Sequence, residues 1–130
     1  MKKLSILLVA IMATLVTLPA VAAKPAVVEL QPGTSLPQPT KSKAVVIDFN
    51  AAWCGPCRQF KPVFDKVAKD MSKKAVFVSV DVDNNPDLAM KFGVRSIPYM
   101  VVLREGADPV KRLGFMTYEE FKAFLEEALN

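Results

Sequence analysis

The tightest constraint in this sequence is a join between two kinds of segment. Ala44-Val45-Val46-Ile47-Asp48-Phe49 is a continuous, largely β-branched run, the pattern of a strand buried on both faces, with a single carboxylate set inside it. After Asn50-Ala51-Ala52-Trp53 comes Cys54-Gly55-Pro56-Cys57, and Phe60, Val63, Phe64, Val67, Ala68 and Met71 then recur at helical spacing. A buried strand thus delivers the chain to two cysteines that open an amphipathic helix. Pro62 falls inside that helix and is expected to kink it, because proline has no N–H to bond back to residue 58.

The remaining segments continue the alternation. Ala75 to Asp81 reads as a second buried strand. Asn85-Pro86 reads as a helix cap with proline in the first helical position, and Leu88, Ala89 and Phe92 as the apolar face of a short helix closed by Gly93. Tyr99 to Leu103 and Val110 to Phe115 are hairpin partners across the turn Glu105–Pro109. The chain closes on a helix in which Thr117 and Glu120 make a capping box, Met116 and Phe121 staple across it, and Phe121, Phe124, Leu125 and Ala128 face the core. Upstream, Val27-Val28-Glu29-Leu30 reads as one short strand, Pro32-Gly33 as a turn and Thr34-Ser35-Leu36 as a single helical turn. The prolines at 37 and 39 make the stretch to Lys43 an irregular link. Strand–helix–strand units followed by a hairpin imply an α/β fold, a mixed sheet with helices on both faces.

The N-terminus has a different character. Met1-Lys2-Lys3 is a short basic start, Leu4 to Leu18 is apolar apart from Ser and Thr, and Pro19-Ala20-Val21-Ala22 ends in a small-x-small step. This pattern predicts a secretory signal peptide cleaved after Ala22. About 15 apolar residues fall short of the roughly 20 that span a bilayer, so cleavage is expected over a retained anchor. No cysteine lies near the junction to carry a lipid. The expected organisation is a signal peptide over 1–22, a short strand and Pro-rich segment over 23–43, and one domain over 44–130, located in the periplasm or secreted. The formal charge of +4 shrinks with it: 17 Lys and Arg lose Lys2 and Lys3, leaving 15 against 13 Asp and Glu. A near-neutral domain gives no reason to expect nucleic acid as a partner, and no stable membrane anchor remains after cleavage.

Histidine is absent from the sequence. That excludes imidazole-based nucleophile activation and most catalytic zinc sites, and two cysteines alone close no structural zinc site. What remains is the chemistry of the Cys-x-x-Cys pair itself. A cysteine at the first position of a helix, where Cys54 is expected, meets unpaired backbone N–H groups and the positive end of the helix dipole, which favours its thiolate. Cys54 is therefore the expected nucleophile, and Cys57, three residues on and on nearly the same face, is placed to attack a mixed disulfide on Cys54. A purely structural disulfide is the competing reading, but a loop this short restrains the unfolded chain little. Half of a zinc site completed by a second copy is another, with no further Cys or His to support it. Asp48, inside an apolar strand, is costly to ionise; its pKa is expected to rise, and it then serves as a proton relay behind the cysteines unless it faces water at a strand edge.

These residues carry a resemblance. Val46-Ile47-Asp48-Phe49, Ala51-Ala52-Trp53-Cys54-Gly55-Pro56-Cys57-Arg58, Pro62, Asp81-Val82-Asp83, Phe92-Gly93-Val94-Arg95-Ser96-Ile97-Pro98 and Gly114 resemble the thioredoxin family over about residues 44 to 130. The resemblance implies a mixed four- to five-stranded sheet flanked by helices, with a disulfide that shuttles between Cys54 and Cys57. It implies a cis Ile97–Pro98 bond, and a substrate surface made of Trp53, Gly55, Pro56, Ile97 and Pro98 in which the Ile97 backbone pairs with an extended segment. Trp53 covers the site in this view; the alternative is a core aromatic. A thiol near about 8.5 is only about 3% ionised at pH 7, whereas one near about 7, a magnitude taken from thioredoxin itself, is half ionised. Three departures stand out: Asn50 where many thioredoxins have a second aromatic, Ser79 in place of a lysine beside the buried acid, and the Pro-rich stretch 32–43 in place of most of the first helix.

The activity expected is thiol–disulfide exchange, reducing protein disulfides outside the cytoplasm, with no cofactor or metal. The partners are disulfide-containing proteins and a membrane-bound thiol electron donor, and the chain is expected to be a monomer. Reduction is favoured because strongly oxidising relatives place a histidine between their cysteines to stabilise the reduced thiolate, and Gly55-Pro56 supplies none. The other readings are a disulfide-forming oxidase and a redox-silent peptide-binding or chaperone module on the same fold.

Overall fold

A computed structural model describes residues 14–20 and 24–130. The expected export segment therefore lies largely outside the described residues, and Thr14 to Ala20 are exposed without regular secondary structure. The elements in order are β1 (Val27–Glu29), β2 (Ala44–Asn50), α1 (Gly55–Asp70), β3 (Ala75–Asp81), α2 (Pro86–Lys91), β4 (Tyr99–Leu103), β5 (Val110–Leu113) and α3 (Tyr118–Ala128). The strands form one sheet in the order β1-β3-β2-β4-β5. The first three are parallel, and β4 runs antiparallel to both β2 and β5. This is the mixed five-stranded sheet flanked by helices that the pattern of segments implies. The segment upstream of residue 44 contributes an edge strand, since Val27 pairs with Phe77 and Glu29 with Ser79.

β2 is central because from Ala44 to Phe49 its side chains are apolar apart from one carboxylate. Its period-two alternation sends Val45, Ile47 and Phe49 to one face, where they meet Val78, Val80, Ala89, Phe92 and Val101. Val46 faces the other side, among Phe60, Phe64, Val67, Phe77, Met100, Phe121 and Leu125. So α1 and α3 cover one face and α2 the other. The larger core is held by aromatic contacts: Phe121 lies 5.1 Å from Phe60 and 5.8 Å from Phe64, and Phe64 lies 5.5 Å from Phe77 between ring centroids.

Element ends follow local chemistry. Thr117 caps α3 in a full capping box with Glu120, and α2 gives way at Gly93, whose φ of 70° suits glycine. Gly114, at φ 101°, ends β5 one residue past Leu113, so the strand expected to reach Phe115 stops short. Helix α1 continues through Pro62, which is exposed. Two further expectations are corrected. Asn85 precedes α2 but makes no side-chain cap; its amide donates instead to the Asp81 carbonyl at 3.1 Å. Thr34 to Leu36 form no helical turn, because Thr34 folds back onto the Gln31 carbonyl through both its N–H and its hydroxyl. No helix forms between Leu30 and Lys43.

Phe121→Ala removes the ring that packs on both Phe60 and Phe64 and is expected to cost about 3–5 kcal/mol, whereas Thr117→Ala loses only the cap, about 1 kcal/mol. Urea denaturation measures both, and equal losses would contradict this division between packing and capping.

Candidate active site

The end of β2 and the start of α1 build the site. Beyond Asn50 the chain turns tightly, the Cys54 N–H donating to the Ala51 carbonyl at 3.1 Å and the Arg58 guanidinium to the Ala52 carbonyl at 2.9 Å. Cys54 lies at the N-cap, with extended φ and ψ of −86° and 110°, rather than at the first helical position. That correction strengthens the electrostatic argument. Side chains at the N-cap accept the orphan N–H groups of the first turn, and here the Cys57 N–H donates to Cys54 Sγ at 3.3 Å. The two cysteines form a disulfide, their Cα atoms 5.2 Å apart. The first turn of α1 holds no acidic residue to oppose negative charge on Cys54.

Two clefts border this disulfide, one lined by Cys54 and the other by Cys57. One is lined by Trp53, Cys54, Gly55, Pro56, Val82 and Ile97 among others and opens to solvent. Its far wall holds the cis Ile97–Pro98 bond, with the Ile97 carbonyl oxygen 3.8 Å from Cys54 Sγ. Trp53 is 68% exposed and donates its indole N–H to Asp83 Oδ2 at 2.8 Å, so it is not a core aromatic. The other cleft, about 190 Å³, is lined by Cys57 and Asp48 and by charged residues at its rim. Asp48 is 4% exposed, sits on the α1 face of β2 opposite Ser79, and its Oδ1 meets no hydrogen-bond partner among the described residues. Burial pushes its pKa up to about 7, with Glu29 adding to the rise and Lys61 and Asn50 opposing it.

The chain leaving β2 thus reaches an N-capping cysteine, with a second cysteine one turn on and a cis-proline loop facing it. The thioredoxin family model matches residues 34–127. The chain belongs to the thioredoxin family. It is 41% identical over 85 residues to a thioredoxin of Mycoplasmoides gallisepticum, covering 65% of this chain and 84% of that protein. A thioredoxin of Staphylococcus haemolyticus is 39% identical over 89 residues, covering 68% and 86%. Among solved structures, a mutant thioredoxin from Halobacterium salinarum superposes with a TM-score of 0.71 at 31% identity, covering 83% of this chain and 96% of that one. With its paired cysteines, this thioredoxin-family chain is a thiol–disulfide oxidoreductase, and thioredoxins act on disulfide-containing proteins.

All eight residues singled out from the sequence meet around one disulfide. Cys54, Gly55, Pro56, Trp53 and Ile97 line the first cleft, Pro98 is buried behind it, and Cys57 and Asp48 line the second. Sequence reasoning missed Asp83 as the partner of Trp53, though the Asp81-Val82-Asp83 motif stood at the end of a strand beside the site. It also missed that Asn50 donates to the Ser79 hydroxyl at 2.9 Å, joining the two positions that depart from the family pattern. Nor did it see Glu29 and Lys61 at the mouth of the Asp48 cleft, because only the sheet order brings β1 next to α1 there.

The buried acid has a consequence for stability. Folded Asp48 keeps its proton until about pH 7, while the unfolded chain releases it near 3.8, so the native state binds more protons in between. Stability therefore falls as pH rises from about 4 to about 7 and levels off above. Asp48→Asn is expected to be more stable than the parent at about pH 8, by roughly 2–4 kcal/mol relative to its effect at about pH 4. Urea unfolding at the two pH values checks this; a difference independent of pH would show that Asp48 ionises as an ordinary carboxylate.

Proposed function

We propose that this chain reduces protein disulfides outside the cytoplasm, with Cys54 as nucleophile, Cys57 as resolving thiol and Asp48 as the base that serves Cys57. The observation that carries the assignment of roles is the division of the two sulfurs between two clefts. Cys54, with the Cys57 N–H on its sulfur, lines the cleft beside Trp53 and Ile97, whereas Cys57 lines the smaller one that holds Asp48.

The steps follow from that placement. In the reduced protein the Cys54 thiolate attacks one sulfur of a substrate disulfide, forming a Cys54–substrate bond and expelling the other substrate sulfur as a thiolate that takes a proton. An extended substrate segment lies along the Ile97 backbone while Trp53, Gly55 and Pro56 cover its flank. Cys57 then gives its proton to the Asp48 carboxylate and attacks Cys54 Sγ. The Cys54–Cys57 bond forms, the second substrate thiolate leaves and is protonated, and two electrons have passed from protein to substrate. Asp48 returns its proton to solvent through the cleft. A membrane-bound dithiol donor restores the reduced pair by the same exchange in reverse, the chain working as a monomer.

Two features support the reducing direction and the location. Gly55 and Pro56 place no cationic or histidine side chain between the cysteines, so the reduced form gains little extra stabilisation. The basic start and apolar run of residues 1–22 support export to the periplasm or medium.

Cys54→Ser is expected to abolish insulin reduction, and Cys57→Ser to accumulate a mixed disulfide with substrate that reductant releases. The reduction potential of the parent is expected near the roughly −270 mV of thioredoxin and far from the roughly −120 mV of strongly oxidising enzymes. Full insulin reduction by Cys54→Ser would overturn the nucleophile, and a potential near the oxidising value would favour a disulfide-forming oxidase. Fractionation of cells producing the full chain tests its location, with recovery of the uncleaved form from the cytosol as the contrary result.

A further inference from the structure

Asp48 is enclosed by groups from four elements, and they do not share one sign. Its neighbour across the sheet in β3 is Ser79, whose hydroxyl accepts from Asn50 and brings no charge. On its β4 side it pairs with Met100. The charges lining the cleft come from further out: Glu29 of β1, Asp81 of β3, and Arg58, Lys61 and Asp65 of α1. Two of these are committed elsewhere. Arg58 is bonded to the Ala52 carbonyl, and Asp81 Oδ1 accepts the Asp83 N–H at 2.8 Å. That leaves Lys61 at the mouth, its Nζ 3.7 Å from Glu29 and 3.6 Å from Asp65.

The pairing is informative because the groups are wet. The side chains of Lys61 and Glu29 are 62% and 59% exposed, so the bridge adds little to stability, at most about 1 kcal/mol. Its effect on a neighbour is another matter. Asp48 sits in a low-dielectric pocket with an unpartnered oxygen, and a charge at the rim of such a pocket is poorly screened.

We propose that Lys61 is the positioning charge for the Asp48 proton relay and Glu29 its counterweight, with the bridge between them fixing where the ammonium stands over the cleft. The inference rests on the role given to Asp48 above. Lys61 touches neither sulfur nor substrate; it acts by favouring the carboxylate that accepts the Cys57 proton. Glu29 opposes it directly, and also holds part of its charge. The directions of the electrostatic influences on Asp48 agree, Lys61 favouring and Glu29 disfavouring its ionised form. Asp65 of α1 acts in the same sense as Glu29, more weakly.

The test separates the two thiol steps. Reduced full-length protein is mixed with less than one equivalent of 5,5′-dithiobis(2-nitrobenzoate) in stopped flow, where release of the first thionitrobenzoate reports attack by Cys54 and release of the second reports attack by Cys57. The second phase is expected to rise with pH through the Asp48 titration. Lys61→Met is expected to move that midpoint up by about half a pH unit, slowing the second phase about threefold below it. Glu29→Gln is expected to move it down by a similar amount, and Lys61→Arg to restore the parent profile. A merely structural role for the bridge predicts that both variants shift the profile alike or leave it still. If Asp48→Asn flattens the second phase while Lys61→Met and Glu29→Gln keep the parent midpoint, the positioning role is overturned and the relay stands. If Asp48→Asn leaves the profile unchanged, the relay fails and the positioning role fails with it.

Discussion

The hydrogen bond from the Cys57 N–H to Cys54 Sγ depends on almost everything else in the molecule being where it is. A helix offers unpaired N–H groups only at its start, so the sulfur must lie at the N-cap and the chain must reach it in extended conformation. Strand β2 supplies that approach, and α1 is held against it by Phe60, Phe64 and Val67 packing under the sheet. The Ala51 and Ala52 carbonyls, each accepting a bond from the site's own residues, fix the turn between them. The fold thus aims a helix terminus at one sulfur atom, and the cis-proline loop leaves that atom a face open to partners.

The same packing that organises Cys54 creates the problem of Cys57. In the proposed mechanism the buried Cys57 thiol needs a base within the protein, and the residue placed for it is Asp48, on β2, the most completely buried strand of the sheet. Burying a carboxylate is unfavourable unless it is neutral or compensated. Here it is about half ionised near pH 7, the condition in which a carboxyl group best exchanges protons with a thiol near neutrality. The stability lost by burying Asp48 and the chemistry it makes possible are two sides of one placement.

Much of this was legible in the sequence because the physics is local. The unbroken apolar run of β2, the helical spacing from Phe60 to Met71 and the Thr117–Glu120 box each state their own structure, and all eight candidate residues lie around one disulfide. The apolar strand around Asp48 and the family resemblance together favour its burial over a water-facing strand edge, and the structure buries it. Local rules failed where a competing partner existed. Asn85 has the right identity for a cap but spends its amide on Asp81, and Thr34 closes a turn onto Gln31 instead of starting a helix. What the sequence held back was long-range: Glu29 and Lys61 are far apart in the chain, and only the β1-β3-β2 order sets them at one mouth. Asn50 and Ser79, separate departures from the family pattern, likewise prove to be partners of each other.

The central claim is that the start of α1 makes Cys54, and not Cys57, the ionised thiol. Alkylation of the reduced protein with iodoacetamide across pH, with each site located by peptide mass, tests it most directly. The account predicts that Cys54 alone is modified, with a midpoint at least one unit below the roughly 8.5 of a free thiol, while Cys57 stays protected. Modification of Cys57 first, or a Cys54 midpoint at or above about 8.5, would contradict it.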